Sequence, residues 1–128
     1  MKYIALIAGI LLGLLFVFAS LSYFFHLVSA PVPAPGSSEA TFFAAMVPTG
    51  YFDFVKTFEL LGGITIAIPI TRRLGLLILG PIALNILAFH IFIEHGHGLL
   101  EVPLIAMVVL LLFLLWVESQ AFIALAIK

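Results

Sequence analysis

The sequence predicts an all-α integral membrane protein, a four-helix bundle with both termini in the cytoplasm. Three observations carry the prediction. The chain is 65% hydrophobic and 9% charged, with a mean hydropathy of +1.37 over 128 residues, far too apolar for a water-soluble domain of this size. Breaker-rich segments divide it into four apolar runs, each near the roughly 20 helical residues that a bilayer core of about 30 Å requires. The basic residues nearest the ends of those runs, Lys2, Arg72, Arg73 and Lys128, fall on one face when the chain crosses four times, and the positive-inside rule puts that face in the cytoplasm. The opposite loops hold Glu39, Glu94 and Glu101 but no lysine or arginine. This arrangement fits a bacterial-type plasma (inner) membrane.

The same composition excludes several function classes. A net charge of −1 and five scattered basic residues form no basic face for nucleic acid. With no cysteine, the chain itself can supply neither dithiol exchange, nor a thiolate metal site, nor covalent haem attachment. Four crossings use nearly all of residues 1–128, so the chain reads as a single transmembrane domain without a soluble catalytic part.

The first span covers about 3–28 and carries no charge after Lys2. Val28-Ser29-Ala30 resembles a signal cleavage site, but about 25 apolar residues exceed the usual 7–15 of a signal core, so the segment reads as a retained helix. Ala5, Gly9 and Gly13 recur every fourth position and offer a face for close helix approach. The connection 29–50 is extracytoplasmic and rich in breakers: Pro31, Pro33, Pro35, Gly36, Pro48 and Gly50. Its alternating prolines predict an extended start, and 41–46 a short helix on the membrane surface. The second span, about 52–68, stops at Pro69 before a tight turn at Thr71-Arg72-Arg73. The third, about 74–93, contains Gly80-Pro81, which removes one backbone hydrogen bond and predicts a kink. Glu94-His95-Gly96-His97-Gly98 forms the next turn, and the fourth span begins at Pro103 and runs to about 127.

The polar residues within this apolar frame are the candidate site. Asp53, Lys56 and Glu59 stand at i, i+3, i+6 on the second span, with each acid next to the lysine. At 1.5 Å per residue, Glu59 and Asn85 lie near the bilayer middle, Lys56 and His90 share a level nearer the outer surface, and Asp53, Glu94 and His26 sit at its edge. An ionisable group at bilayer depth demands a partner or a wet cavity. Two readings follow: the group fixes helix register, or Glu59 or Lys56 meets a ligand head group or relays protons. Gly62-Gly63, one turn beyond Glu59, lets a backbone or a flat ligand come close.

His90, Glu94 and His97 share the i, i+4, i+7 spacing that presents two imidazoles and a carboxylate to a metal. Gly96 ends the helix before His97, however, and histidines near a membrane-surface turn are commonly interfacial, so no metal is expected. Axial haem ligation by His26 and His90 rests on two lone histidines and is likewise not expected. Glu118, in the cytoplasmic half of the fourth span, lies within reach of Arg72 or Arg73 as a structural pair, and Trp116 reads as an interfacial anchor.

At Thr49-Gly50-Tyr51-Phe52-Asp53-Phe54-Val55-Lys56-Thr57-Phe58-Glu59-Leu60-Leu61-Gly62-Gly63, then Arg72-Arg73-Leu74-Gly75 and Gly80-Pro81-Ile82-Ala83-Leu84-Asn85 through His90, the chain resembles the DoxX-like family of small membrane proteins. The resemblance covers essentially all four helices, with Lys56, Glu59, Gly62, Gly63 and Asn85 as the matching positions. It implies a four-helix membrane bundle associated with oxidoreductases, related to the DoxD subunit of a thiosulfate:quinone oxidoreductase. The lack of cysteine argues against a thiol or persulfide role here. The leading expectation is therefore a membrane subunit or accessory protein of a redox system, holding a quinone-type head group between spans two and three, with Lys56, Glu59, Asn85 and His90 as donors, acceptors and proton carriers. Its partners would be the lipid bilayer, oxidoreductase subunits and further copies of the chain. The rival is a non-enzymatic scaffold or chaperone whose polar core only fixes helix packing. Transport is a weaker third reading, since no inverted repeat is visible.

Overall fold

The computed structural model describes residues 2–28, 32–96 and 98–127, and every regular element among them is helical. Six α-helices follow in order: α1 (Lys2–Phe25), α2 (Ser38–Met46), α3 (Tyr51–Ala67), α4 (Arg72–Ala88), α5 (Val102–Val117) and α6 (Ser119–Ala126). Ser29 and Ala30 of the cleavage-like motif, Pro31, His97 and the basic Lys128 lie outside the described residues.

α1 forms from an unbroken apolar run and ends where His26 adopts a left-handed backbone (φ 52). The Leu27 amide then donates to the Ser22 carbonyl at 3.1 Å, closing the last turn. Its buried face holds Ala5, Ala8, Gly9, Leu12, Gly13, Phe16 and Ser20. The Ser20 hydroxyl donates to the Phe16 carbonyl at 2.7 Å, whereas the buried Ser22 Oγ makes no hydrogen bond to any described residue. α2 starts at Ser37, whose hydroxyl accepts from the Ala40 amide at 3.2 Å, a standard N-terminal cap.

α3 packs between α1 and α4, and glycines set how closely. A Cβ added at Gly13 would stand 2.5 Å from the Gly63 carbonyl oxygen, and one at Gly62 only 2.5 Å from Leu79 Cδ2. The paired glycines after Glu59 are thus used up by neighbouring helices. α3 ends as Ile68 turns extended (ψ 119) before Pro69, the conformation that a following proline imposes. The Thr71 hydroxyl donates to the freed Thr65 carbonyl at 2.8 Å. A single 3₁₀ turn, Pro69–Thr71, leads straight into α4. That helix runs through Pro81 and widens into a π turn, Phe89–Ile93. Leu12, Ile66, Leu76, Leu79 and Leu114 form the fully buried centre.

Two stretches are long and apolar enough to cross a membrane, Lys2–Phe25 and Pro69–Ile93, and a third is added if the bent pair α5 and α6 is one span. Many large apolar side chains face outward, among them Phe18, Leu84, Leu112 and Ile70, as lipid-facing helices require. The fourth apolar run differs from its sequence-based expectation of one passage over 103–127. It bends by 71° between α5 and α6. The break falls at Glu118 (φ −98, ψ 15), whose carboxylate takes Arg72 Nη1 at 3.3 Å and Arg73 Nε at 2.8 Å. One acid thus ties the end of α5 to the start of α4.

Candidate functional site

The helices border an open-sided cavity of about 380 Å³, walled by parts of α1, α2, α3, α4 with its π turn, and the start of α5. α3 contributes Phe52, Val55, Lys56 and Glu59, successive positions of one helix face. Asn85, Ile86, Phe89 and His90 come from the opposing arm of the α3–α4 hairpin, Leu15, Phe16 and Ala19 from α1, and Glu101, Pro103, Leu104 and Met107 from the entry to α5. The α2 helix supplies Phe42 and Phe43.

Four of the five residues singled out in the sequence, Lys56, Glu59, Asn85 and His90, share this wall. Glu59 is 4% exposed. Its one hydrogen bond among the described residues comes from Lys56 Nζ to Oε1 at 3.4 Å, longer than the 2.7–2.9 Å of a tight charge-assisted bond. Lys56 Nζ also lies 5.3 Å from the centre of the Phe52 ring, a favourable cation–π distance. The pair therefore cancels its charge locally while leaving two ammonium protons and Glu59 Oε2 without a partner among the described residues. Asn85 lines the same space, and its amide hydrogen-bonds to no described residue.

His90 sits in the π turn, held from both ring nitrogens. Nδ1 is 2.9 Å from the Ile86 carbonyl, and Nε2 is 3.3 Å from Glu94 Oε1. A π turn adds one residue to a helical repeat and is often found where a side chain must be re-aimed. Here it carries Phe89 and His90 together into the cavity wall. Beside them, Gly98 has φ 82, and a Cβ there would meet His90 Cδ2 at 3.2 Å and Glu101 Oε1 at 3.6 Å. The His90 ring and the Glu101 carboxylate thus both border the space that a side chain at position 98 would fill.

Asp53 is placed elsewhere. It does not line the cavity and does not pair with Lys56; its Oδ1 accepts from the Tyr23 hydroxyl at 2.6 Å, at the exposed end of α1. His26 also stands outside the wall, so it does not face His90 across the cavity. Of the three weak metal candidates, His90 and Glu94 meet and His97 lies outside the described residues. Among the described residues no three His, Asp or Glu side chains come together in a way that would hold a metal ion.

Two contributors escape sequence reasoning. Phe42 and Phe43 form one wall through tilted and edge-on contacts with the α3 and π-turn aromatics: Phe42 to Phe89 at 4.8 Å, Phe43 to Phe89 at 5.7 Å and Phe43 to Phe52 at 5.6 Å between ring centres. The available signal was a capped short helix carrying adjacent phenylalanines in a breaker-rich connection. Glu101 was read only as a topological marker. Its position directly before a proline-started helix could have flagged it as a helix-end residue facing the bundle.

Chemically, the site offers hydrogen-bond donors on Lys56 and Asn85, acceptors on Glu59, Asn85 and Glu101, and aromatic faces around them. Its volume falls in the range of about 300–1,000 Å³ typical of small-molecule pockets. Comparisons with protein-family models, with curated proteins and with solved structures found no match.

Proposed function

We propose that this chain is a small plasma-membrane protein, a four-helix bundle with both termini in the cytoplasm, that binds a quinone-type ligand as a subunit or accessory protein of a membrane redox system. The carrying observation is the aromatic-walled cavity of about 380 Å³ in which polar atoms of Lys56, Glu59 and Asn85 without a partner among the described residues face the same space. Those groups fit a ring bearing carbonyls: Lys56 and the Asn85 amide donate to carbonyl oxygens, and the phenylalanines stack on the ring. The resemblance to the DoxX-like family points the same way. A bound quinone would supply reversible two-electron, two-proton chemistry. The chain's own residues bind and orient the ring, exclude bulk water with Phe42 and Phe43, and hold protons at Glu59 and His90. Electrons are left to an associated oxidoreductase subunit.

The scaffold reading has two specific observations in its favour: Gly62, Gly63 and Gly13 are filled by neighbouring helices, and Lys56 pairs with Glu59 on the same helix. A single experiment separates the two. Lipid extracts of the purified protein are analysed for quinone, and a short-chain quinone is titrated into the wild type and Asn85→Ala in nanodiscs. Bound quinone that is lost in Asn85→Ala supports the proposal. Equal, negligible binding by both proteins, together with copurification of one stoichiometric membrane partner, favours the scaffold.

A further inference from the structure

The opposite end of the molecule carries a second, smaller pocket, of about 230 Å³, lined by Lys2, Tyr3 and Leu6 in the first turns of α1, by Pro69 and Arg72, and by Val117 at the end of α5. Both stretches that qualify as membrane spans begin here, at Lys2 and at Pro69. Whichever way the protein is oriented, this end lies at the level of lipid head groups.

Its charge is out of balance. Arg72 and Arg73 share one acid, Glu118, and Lys2 lines the pocket beside Arg72. Arg72 is 8% exposed, and its Nε is buried without a hydrogen-bond partner. A buried guanidinium N–H is almost always satisfied, so this orphan asks for an acceptor that no described residue provides. Lys2, which is exposed, makes no hydrogen bond to any described residue. Two cationic groups thus border a pocket whose remaining walls are apolar or aromatic.

We propose that this pocket is a binding site for the phosphate of an anionic phospholipid, with Arg72 and Lys2 as its ligands. The guanidinium fork matches phosphate oxygens, and the lysine adds a flexible point charge. Tyr3, Leu6 and Pro69 contact the glycerol region, and the acyl chains run along the apolar outer surface, where Ile4 and Ile70 are exposed. The site is independent of any ligand in the aromatic-walled cavity.

The test is native mass spectrometry of the full chain with phosphatidylglycerol or phosphatidylcholine titrated in, using wild type, Lys2→Gln and Arg72→Lys. The wild type is expected to retain one phosphatidylglycerol per chain in preference to phosphatidylcholine. Lys2→Gln should weaken that binding by about fivefold, the contribution of one basic residue at a membrane surface. Arg72→Lys, which keeps the charge but loses the fork, should lose the preference; if it does not fold, Lys2→Gln alone decides. Equal retention of the two lipids, or unchanged affinity in Lys2→Gln, overturns the proposal. Displacement of the lipid by millimolar inorganic phosphate would reassign the pocket to a free anion and overturn the lipid as its occupant.

Discussion

Replacing Gly13 with alanine tests whether the close approach of α1 to α3 shapes the cavity. The new Cβ would stand 2.5 Å from the Gly63 carbonyl oxygen and 3.0 Å from Ala67 Cβ, whereas ordinary contact begins at 3.4 Å. The shortfall against the carbonyl is therefore about 0.9 Å. The obstacle is backbone, which has no rotamer to change, so the two helices must separate. Overpacking of this kind costs about 1–3 kcal/mol, a factor of roughly 5 to 150 in the folding equilibrium. Because Leu15, Phe16 and Ala19 follow on α1 and line the cavity, the separation also carries that wall away from Lys56 and Glu59. Equilibrium unfolding in mixed micelles, with helical content as the readout, measures the first effect, and quinone affinity in nanodiscs the second. Gly80→Ala is the control, since its Cβ meets nothing within 4 Å; it should be neutral or stabilise by up to about 1 kcal/mol. If Gly13→Ala matches Gly80→Ala in stability, glycine-mediated packing of α1 on α3 is wrong.

Other substitutions probe the remaining contacts. Glu59→Gln retains the shape of the buried side chain, so helical content should persist while quinone binding falls by roughly tenfold for one lost charge-assisted interaction; collapse of the fold would instead assign Glu59 to architecture. Phe43→Ala removes an aromatic from the cavity wall and should accelerate ligand dissociation several-fold in a stopped-flow chase, whereas an unchanged rate would place the exit elsewhere. Glu118→Gln leaves the mostly buried Arg72 with a weakened partner, at a cost on the order of 3 kcal/mol. It should also broaden the distance between spin labels at positions 110 and 125 as the α5–α6 bend loosens. Tyr23→Phe breaks an exposed hydrogen bond to Asp53 worth about 1 kcal/mol or less, and binding in the cavity should not change.

What was legible in the sequence depended on how far each feature is determined locally. Helix spacing and a three-residue turn fix the register of α3 against α4, so simple depth arithmetic brings Lys56, Glu59, Asn85 and His90 to neighbouring levels. The reach of Arg72 and Arg73 to Glu118 was legible for the same reason: a lone acid in an apolar run has few cations to choose from. The bend at Glu118 was not. The arginines that hold Glu118 there lie 45 and 46 residues away in the chain, and residues 103–127 contain no proline after Pro103 and no glycine to announce it. The π turn at Phe89–Ile93 also has no compositional mark. The pairing of Asp53 was not legible, because helical spacing alone makes it a neighbour of Lys56; the Tyr23 hydroxyl, from another helix, is the partner it takes. Phe42 and Phe43 were invisible as site residues because nothing local says which way a surface helix folds back.

The shortness of α3 bears on how the protein is made. Its 17 residues extend only about 25 Å, less than a bilayer core, and three of them, Asp53, Lys56 and Glu59, are ionisable. Each such residue opposes insertion by about 2.5–3.5 kcal/mol near the bilayer centre and less toward its edge. As an isolated segment α3 is therefore the poorest candidate of the long helices to leave the insertion machinery for lipid. Its flanks supply the remedy: α4 follows after a single turn, and α1 has already emerged when α3 is synthesised. Under the four-span topology proposed above, entry as a hairpin with α4, against a waiting α1, would let glycine contacts form as the charges leave water, so that α3 would owe a place in the membrane to its neighbours rather than to its own hydrophobicity.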